Sequence, residues 1–385
     1  MKAMFAEGFE RPQVLLKKKL LLLNWPFLLV ITAITLIGVS ALYSVAKGSL
    51  DPWASRHVAR YCLGLGILFV IALSDIRWWL RMAYPLYLVA LLLLAAVMLI
   101  GVESGGAKRW LGYQEYSFQP TELMKIALVL AIARYYQWLS PRQVSWPWAV
   151  LPPLVMIAMP VLFALEQPDL GTAALFGIVG CGLLFLAGVS WLYFLGGVVG
   201  VIAALPHVWE RLHDYQRERV LTFIDPERDP SGSGYHILQS KIAIGSGGFA
   251  GKGFMQGTQA QLNFLPEKHT DFIFTMFSEE MGFIGACVLL ALYLLALLFI
   301  AYMALRCRST FPRLVASGMG LCLFAYVFIN VAMVTGLVPV VGVPLPLVSY
   351  GGTSMLTMMA GFGFVLNAHI NRQVLIRREE LGPFW

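Results

Sequence analysis

Long apolar segments are the feature that most constrains how this chain can fold. Of its 385 residues, 59% are hydrophobic and 13% are charged, whereas soluble domains average about 45–50% and about 25%. A helix of about 20 apolar residues crosses the hydrocarbon core of a bilayer. We therefore predict an all-α polytopic membrane protein with about ten transmembrane helices. The predicted spans are 20–46, 57–74, 80–102, 119–138, 147–165, 170–188, 190–209, 275–305, 312–338 and 350–370.

Positive charges predict the orientation of these spans. An even number of spans places both termini on one side, and cytoplasmic segments carry an excess of Lys and Arg. With both termini inside, the cytoplasmic cations are Lys2, Arg11, Lys17, Lys18, Lys19, Arg77, Arg81, Arg142, Arg306, Arg308, Arg313, Arg372, Arg377 and Arg378. The short external loops carry only Lys47, Arg56, Lys108 and Arg109. The net charge of +7 follows from this asymmetry and does not indicate nucleic acid binding.

This orientation divides the chain into one membrane domain and two tails. Residues 1–19 and 373–385 are predicted cytoplasmic tails, and residues 20–372 form a single membrane domain. The predicted external loops are 103–118, 210–274 and 339–349, of which 210–274, between helices 7 and 8, is the largest. This large loop contains no cysteine, and the six histidines lack the spacing of metal ligands. We therefore predict no disulfide in the loop and no dedicated metal site.

The start of the fourth span carries charged residues. Glu122 and Lys125 stand three apart, so they share one helical face only one or two turns below the external surface. Ionisable residues at this depth usually face a polar cavity, although a buried pair that only fixes helix packing has the same pattern. Gln119 precedes this helix. Arg109 and Trp110 lie at the same membrane level, where the tryptophan also fits an interfacial belt.

Glycines cluster within the large external loop. Residues 245–253 read Gly-Ser-Gly-Gly-Phe-Ala-Gly-Lys-Gly. A phosphate-binding P-loop requires Ser or Thr after Gly-Lys, and here Gly253 follows Lys252. We therefore expect the glycines to form tight turns and to bring backbone N–H groups close to a substrate anion. Lys241 lies just upstream.

The same loop ends in a charged segment just before the eighth span. Residues 261–272 read Gln-Leu-Asn-Phe-Leu-Pro-Glu-Lys-His-Thr-Asp-Phe. Glu267 and Asp271 would share a face if this segment were helical, with Lys268 and His269 between them. A carboxylate beside cations at a lipid–water boundary is a candidate general base. A solvated charge run at a helix start is the alternative.

The ninth and tenth predicted spans are joined by an apolar, proline-rich segment. Pro339, Pro344 and Pro346 prevent it from being helical. Apolar but non-helical sequence at membrane depth predicts a re-entrant loop that packs on protein or lines a cavity. Ser349 and Thr353, at its end, are candidate substrate-binding residues.

Together, the three external elements resemble the SEDS family of bacterial shape, elongation, division and sporulation proteins. The resemblance covers essentially the full length, and the segment 261–272 is most similar to the rod-elongation branch. It implies a peptidoglycan glycosyltransferase of the bacterial cytoplasmic membrane that polymerises lipid II. It also implies a class B penicillin-binding protein as partner, alongside other membrane proteins of the elongation complex, and Asp271 as the essential carboxylate.

This chemistry assigns roles to the candidate residues. The leaving group is a pyrophosphate, so cations rather than a second carboxylic acid can stabilise it. Asp271 would accept the proton of the acceptor 4-hydroxyl during inverting attack. The candidate substrate-binding residues are Arg109, Trp110, Gln119, Glu122, Lys125, Lys241, Glu267, Lys268, His269, Ser349 and Thr353. No cofactor is required, and the pyrophosphate allows a divalent cation, Mg²⁺ or Mn²⁺.

Two other classes of function fit parts of the sequence. A lipid II flippase would use intramembrane charges as a pathway, and Arg60, Arg134, Glu279 and Glu280 are candidates besides Glu122 and Lys125. The motifs lie on one face, which favours an enzyme over alternating access. A non-catalytic scaffold of the elongation machinery would have no need for Asp271.

Overall fold

The computed structural model describes residues 16–104, 107–112, 118–211, 217–218, 221–223, 225, 233–261 and 267–376. Most of the two predicted tails, 1–19 and 373–385, lies outside these residues, so their boundaries stay a prediction. The helices are α1 Leu16–Leu21, α2 Trp25–Val45, α3 Ala54–Leu73, α4 Ile76–Ile100, α5 Pro120–Trp138, α6 Pro147–Glu166, α7 Leu170–Ala187, α8 Trp191–Arg211, α9 Ser233–Ser246, α10 Thr258–Gln261, α11 Ile273–Leu305, α12 Thr310–Val334 and α13 Gly352–Ile370. Two short strands, β1 Val102–Ser104 and β2 Ala107–Trp110, form an antiparallel hairpin.

The prediction of an all-α polytopic membrane protein is confirmed. Each predicted span coincides with one long helix of the described residues. Seven helices in this part of the chain are long and apolar enough to cross a membrane, namely α2, α3, α4, α6, α7, α11 and α12. In α8 the apolar stretch is shorter and covers Trp191–Ala204. The exact number of crossings stays a prediction.

The first span begins later than its apolar residues suggest. The side chain of Asn24 accepts a hydrogen bond from the backbone N–H of Phe27 at 3.2 Å, which caps α2. Pro26 lies in the first turn, where the absence of its N–H costs no intrahelical bond. The apolar residues 20 and 21 therefore belong to α1, a separate short helix.

Small residues allow the helices around the bundle centre to approach closely. α5 and α12 are buried on nearly all sides. A Cβ atom built on Gly318 of α12 would lie 2.6 Å from a methyl carbon of Val129 of α5. On the flank, a Cβ atom on Gly363 of α13 would lie 2.9 Å from the Leu68 carbonyl of α3. Such close backbone approach is how membrane helices gain packing energy.

The large external loop contains structure that the sequence analysis did not predict. Helix α9 packs against the bundle, and its Ser240 hydroxyl is buried where it hydrogen-bonds the Val334 carbonyl and the Thr275 hydroxyl, both at 2.7 Å. The described part of the loop is therefore part of the membrane domain. The hairpin β1–β2 adds a second unpredicted element, in the loop before α5.

The glycine-rich segment packs against a break in α11. Gly282 has φ +67°, which interrupts the helix. The backbone N–H groups of Lys252 and Gly253 donate to the carbonyls of Glu279 and Glu280, both at 3.0 Å. A Cβ atom on Gly251 would lie 2.1 Å from the Glu280 carbonyl oxygen. The glycines do form tight turns. The N–H groups of Lys252 and Gly253, however, donate to helix carbonyls, so the expectation that such groups face a substrate anion is wrong for these two.

The proline-rich segment enters the bundle between helices. Leu345, Leu347 and Val348 are fully buried. The Leu347 carbonyl lies 3.0 Å from His57 Nε2 of α3, and the Pro346 carbonyl accepts a hydrogen bond from the Tyr293 hydroxyl, near the middle of α11. The segment therefore packs on protein, as its combination of apolar and helix-breaking residues requires.

Candidate active site

A cavity of about 220 Å³ lies where the amino-terminal ends of α5, α7 and α13 face the second half of α12 and two loops. Its lining residues are Trp110, Gln119, Glu122, Lys125, Asp169, Thr172, Leu175, Thr270, Asp271, Tyr326, Gly342, Val343, Pro344, Tyr350, Gly351, Gly352, Thr353 and Ser354. The cavity therefore brings together parts of all three external elements that the sequence analysis singled out.

Glu122 and Lys125 form a buried cluster with Tyr326 on one wall of the cavity. Lys125 Nζ lies 2.7 Å from Glu122 Oε1, and both residues are 4% exposed. The Tyr326 hydroxyl donates to the Glu122 carboxylate at 2.9 and 3.1 Å and accepts a hydrogen bond from Lys125. The cluster fixes the ammonium group at the cavity wall, where it can interact with an anion.

Asp271 is held against the proline-rich segment. The Asn330 side-chain amide donates to the Asp271 carbonyl at 2.9 Å and to the Val343 carbonyl at 2.7 Å, so it joins the two segments. Gly342 has φ +69°, and a Cβ atom there would lie 3.2 Å from Asp271 Oδ2. Glycine at this position thus satisfies a left-handed backbone and gives the carboxylate room.

A second set of hydrogen bonds fastens the loop that carries Asp271. The Ser349 hydroxyl donates to the Thr270 carbonyl at 2.6 Å and accepts from the Leu345 N–H at 2.7 Å. The backbone N–H of Tyr350 donates to the His269 carbonyl at 2.9 Å. Ser349 does not line the cavity, so it positions the loop instead of contacting a substrate there.

The cavity is lined by more carboxylates than cations. Among the described residues of its lining, Glu122, Asp169 and Asp271 are acidic and Lys125 is basic. The aligned backbone N–H groups at the first turn of α13, beside Gly351, add partial positive charge. An anionic ligand in this cavity would therefore require these N–H groups, Lys125 and further positive charge.

The charged residues just before Asp271 lie away from the cavity. Residues 267–272 form turns and not a helix. The expectation that Glu267 and Asp271 share a helical face is therefore wrong. Glu267 is exposed and accepts a hydrogen bond from the Thr270 hydroxyl at 2.8 Å. Lys268 is buried, and burial lowers its pKa, assisted by the positive charge of Lys47.

His269 lies between two aromatic side chains beside the cavity. Its ring lies 4.6 Å from the Trp53 ring at an interplanar angle of 11°, and 5.9 Å from the Tyr350 ring. Burial lowers the pKa of His269; Lys268 lowers it further, and Glu267 opposes both. His269 is therefore a packing residue in which burial favours the neutral ring, and it does not line the cavity.

The remaining predicted residues divide into three groups. Trp110, Gln119 and Thr353 line the cavity, and their role in substrate binding stays a prediction. Lys241 is exposed on α9 and does not line the cavity. Its side chain packs beside Gly336 instead, because a Cβ atom built on Gly336 would lie 2.7 Å from Lys241 Nζ. The side chain of Arg109 lies outside the described residues.

The cavity also contains residues that the sequence analysis missed. Asp169 caps α7, where its carboxylate accepts from the Thr172 N–H at 3.1 Å and the Thr172 hydroxyl at 2.8 Å. The sequence Pro168-Asp169 directly before an apolar span was a usable cap signal. Tyr326 and Tyr350 gave no such signal, because their roles depend on contacts with distant segments.

Comparison with known proteins identifies the family. Residues 18–374 match the family model of the FtsW, RodA and SpoVE proteins, described as cell cycle proteins. The chain is 45% identical over 357 residues to the peptidoglycan glycosyltransferase MrdB of Escherichia coli K12, which covers 90% of this chain and 94% of that protein. It is 36% identical over 344 residues to MrdB of Helicobacter pylori J99, covering 88% of this chain and 86% of that protein.

Solved structures agree with this match. A chain of a peptidoglycan synthase complex, in which polymerization and crosslinking are coordinated, has a TM-score of 0.80 at 35% identity, covering 91% of this chain and 98% of that chain. The rod shape determining protein RodA of Thermus thermophilus has a TM-score of 0.69 at 30% identity, covering 91% and 97%. The chain therefore belongs to the FtsW/RodA/SpoVE family, which confirms its resemblance to the SEDS proteins.

Proposed function

We propose that this protein is a peptidoglycan glycosyltransferase that polymerises lipid II into glycan strands during cell elongation. The observation that carries the proposal is the cavity that joins Asp271 to the Glu122–Lys125–Tyr326 cluster. The relatives named peptidoglycan glycosyltransferase, at up to 45% identity over nearly the whole chain, support the same activity.

Asp271 is the proposed general base. Its carboxylate lies beside Gly342 in the cavity, and Asn330 and Ser349 fix the loop that carries it. The carboxylate would accept the proton of the acceptor 4-hydroxyl while that oxygen attacks the anomeric carbon of the donor. Attack from the face opposite the pyrophosphate inverts the anomeric configuration. A positioned base of this kind contributes about 10²–10⁴-fold in rate.

The leaving pyrophosphate requires positive charge rather than a proton. Lys125 is the cation of the described lining, and the first turn of α13 offers N–H groups on the same cavity. We place the pyrophosphate between them, with Trp110, Gln119 and Thr353 contacting the rest of the donor. Arg109, the third residue of β2, would supply a further cation.

No cofactor is needed for this mechanism, but a divalent cation would assist it. The described residues contain no group of three His, Cys, Asp or Glu side chains that could hold a metal ion. Mg²⁺ or Mn²⁺ would therefore enter with the pyrophosphate and offset the carboxylates Asp169 and Asp271. Polymerisation that is unchanged by EDTA would contradict this role.

The flippase and scaffold alternatives are weaker. Arg134 donates to the carbonyls of Leu80 and Arg81 at 3.0 and 2.9 Å, and Glu279 accepts from Lys252 and Thr258 at the break in α11. Arg134 and Glu279 make packing contacts and do not line the cavity with Glu122 and Lys125, which gives no support to a shared pathway of charges. A scaffold would not need a cavity lined by a positioned carboxylate.

The chain is a multi-pass protein of the bacterial cytoplasmic membrane. We propose that both termini face the cytoplasm, which places the cavity at the external surface. A class B penicillin-binding protein is the proposed partner, because the structural relative with TM-score 0.80 belongs to a complex that coordinates polymerization with crosslinking. Other membrane proteins of the elongation complex are proposed to join it.

Thiol labelling tests the orientation. A cysteine in place of Glu218 or Asp225 should react with a membrane-impermeant reagent added to intact spheroplasts. A cysteine in place of Arg142 should react only after lysis. The reverse pattern would place the cavity in the cytoplasm and contradict an external polymerase.

The polymerase assay tests the function itself. Wild type and Asp271→Asn, each purified with the class B partner, are incubated with lipid II, and glycan strands are measured. Wild type should form strands, and Asp271→Asn should be slower by about 10²–10⁴-fold while it still binds the partner. Strand formation by the variant within a few-fold of wild type would remove Asp271 as the base, and the other carboxylates of the described cavity lining, Glu122 and Asp169, would become the next candidates.

A further inference from the structure

Four arginines cluster at the end of the bundle opposite the cavity. Arg306 follows the last residue of α11, Arg308 and Arg313 flank the start of α12, and Arg372 follows α13. The backbone N–H of Arg308 donates to the Arg372 carbonyl at 3.0 Å, which joins the two segments directly. The cluster is therefore one surface built from three helix ends. We refer to these four residues as the arginine cluster.

Two guanidinium groups of the arginine cluster, those of Arg313 and Arg372, act on the same buried residue, Cys307. Arg372 Nη1 donates to the His369 carbonyl at 2.9 Å, and the guanidinium of Arg306 lies 4.6 Å from the Tyr302 ring. Burial raises the pKa of the Cys307 thiol to about 11, and the positive charges of Arg313 and Arg372 oppose this shift. Both guanidinium groups are thus within electrostatic reach of Cys307.

No described carboxylate forms an ion pair with the arginine cluster. The ion pairs seen among the described residues include Lys125–Glu122 and Lys252–Glu279, and none involves these arginines. Arg306, Arg308 and Arg313 are exposed, and Arg372 is half-buried. Several like charges at one surface repel one another unless an anion from outside the described chain lies between them.

Helix dipoles explain only half of the arginine cluster. Arg306 and Arg372 follow helix carboxyl ends, where cations are favoured. Arg308 and Arg313 lie at the amino-terminal end of α12, where the dipole disfavours cations and favours anions. The arrangement is therefore better suited to binding an anion than to neutralising helix ends.

The surroundings indicate what kind of anion fits. Tyr302, Leu305 and Leu375 are 47%, 81% and 60% exposed beside the cluster and present apolar surface. Guanidinium groups bind phosphate oxygens in pairs, and basic sites between helices on the cytoplasmic side suit anionic lipid head groups. We propose that the arginine cluster binds the phosphate head group of an anionic phospholipid, whose acyl chains lie against the exposed apolar side chains.

Native mass spectrometry of the delipidated protein tests this site. Wild type should retain added phosphatidylglycerol more strongly than phosphatidylcholine. The double variant Arg306→Gln/Arg372→Gln should lose phosphatidylglycerol affinity by about fivefold for each arginine removed. Arg142→Gln, an exposed arginine in another loop at the same end, should bind like wild type. If the double variant does not fold, Arg306→Lys/Arg372→Lys replaces it and should still bind several-fold more weakly than wild type.

Four results would overturn the proposal. Equal loss in Arg142→Gln would indicate general surface charge, and unchanged binding in the double variant would place the lipid elsewhere. Competition by millimolar inorganic phosphate, without preference for phosphatidylglycerol, would indicate a free-anion site. Binding that appears only in Glu379→Gln/Glu380→Gln would mean that the chain's own carboxylates occupy the cluster. These measurements do not depend on the proposed polymerase activity.

Discussion

Two glutamate–lysine pairs among the described residues have a buried carboxylate but differ in what surrounds it. Glu122 and Lys125 lie on the cavity wall and share the Tyr326 hydroxyl. Glu279 lies at the break of α11, fully buried, and accepts a hydrogen bond from Lys252 at 2.6 Å. Both carboxylates are buried and both are paired with a lysine, so neither property identifies a functional residue. Access to the cavity is what distinguishes the first pair.

This difference predicts that mutation of the Glu279–Lys252 pair lowers mainly stability, whereas mutation of the Glu122–Lys125 pair lowers mainly activity. The Glu279 carboxylate satisfies the Thr258 N–H at 3.0 Å, the Thr258 hydroxyl at 2.9 Å and the Gln259 N–H at 3.2 Å, besides Lys252. Its role is to hold the glycine-rich loop on the helix. Glu122 and Lys125 instead keep one positive charge in place beside a cavity that can hold water or an anion.

Glu279→Ala should have the largest effect on stability. The change leaves Lys252 and the backbone N–H groups of Thr258 and Gln259 without their shared acceptor, and each buried donor left unsatisfied typically costs about 1–3 kcal/mol. We expect a marked fall in melting temperature, with near-normal polymerisation per folded molecule. A normal melting temperature combined with lost activity would show that this pair belongs to the mechanism.

Lys125→Met should have the largest effect on activity outside Asp271. Loss of one preorganised charge at a developing anion typically costs about 10²–10³-fold in rate. The Glu122 carboxylate retains Tyr326 as a donor, so the melting temperature should fall less than in Glu279→Ala. Rates and melting temperatures of both variants are compared side by side. If Lys125→Met polymerised lipid II at the wild-type rate but melted at a lower temperature, the pair would serve only helix packing.

Ser349→Ala should have a smaller effect through the loop that carries Asp271. It removes the hydrogen bond to the Thr270 carbonyl, a loss of about 1–2 kcal/mol. Polymerisation should slow by about tenfold if this energy holds the base in place. The matched control is Ser246→Ala, whose hydroxyl bonds only the Ala243 carbonyl of its own helix. Equal rates in the two variants would show that Ser349 does not position Asp271.

The smallest effect that we expect is a pH dependence of stability caused by His269. Because burial lowers its pKa below the ordinary value of 6.5, the folded state disfavours protonated His269. The unfolded chain then binds more protons, so stability falls as the pH drops below 6.5 toward the folded pKa. Melting between pH 7.5 and 5.5 should show this loss, and His269→Gln should reduce it. An unchanged pH profile in the variant would exclude His269 as the source.

Much of the fold follows from the sequence, because apolar length alone predicts helices in a membrane. The exact ends of the helices depend on local capping residues, such as Asn24, after which α2 begins. Glu122 and Lys125 were predictable because charges at that depth need a polar neighbourhood. The sequence also predicted that Asp271 and the proline-rich segment lie in external elements, but only the structure reveals that Asn330 ties them together.

The rest of the cavity could not be predicted, since it depends on contacts between distant segments. Tyr326 lies within an apolar helix and has no local pattern that distinguishes it. Lys241 and Glu267 have the right charge and spacing, yet turns and helix packing direct them away from the cavity. The glycine-rich loop resembled an anion site because the break in α11, which it contacts, cannot be read from the loop itself.

Photocrosslinking of lipid II tests most directly whether the cavity is the site of glycosyl transfer. A photocrosslinking amino acid replaces Thr353, which lines the cavity, in the Asp271→Asn background so that bound donor is not consumed. The control places the same amino acid at Phe249, 71% exposed on the glycine-rich loop. We expect a light-dependent lipid II adduct at position 353 and none at position 249. Equal adducts at both positions, or an adduct at 249 alone, would contradict the assignment of the cavity as the active site.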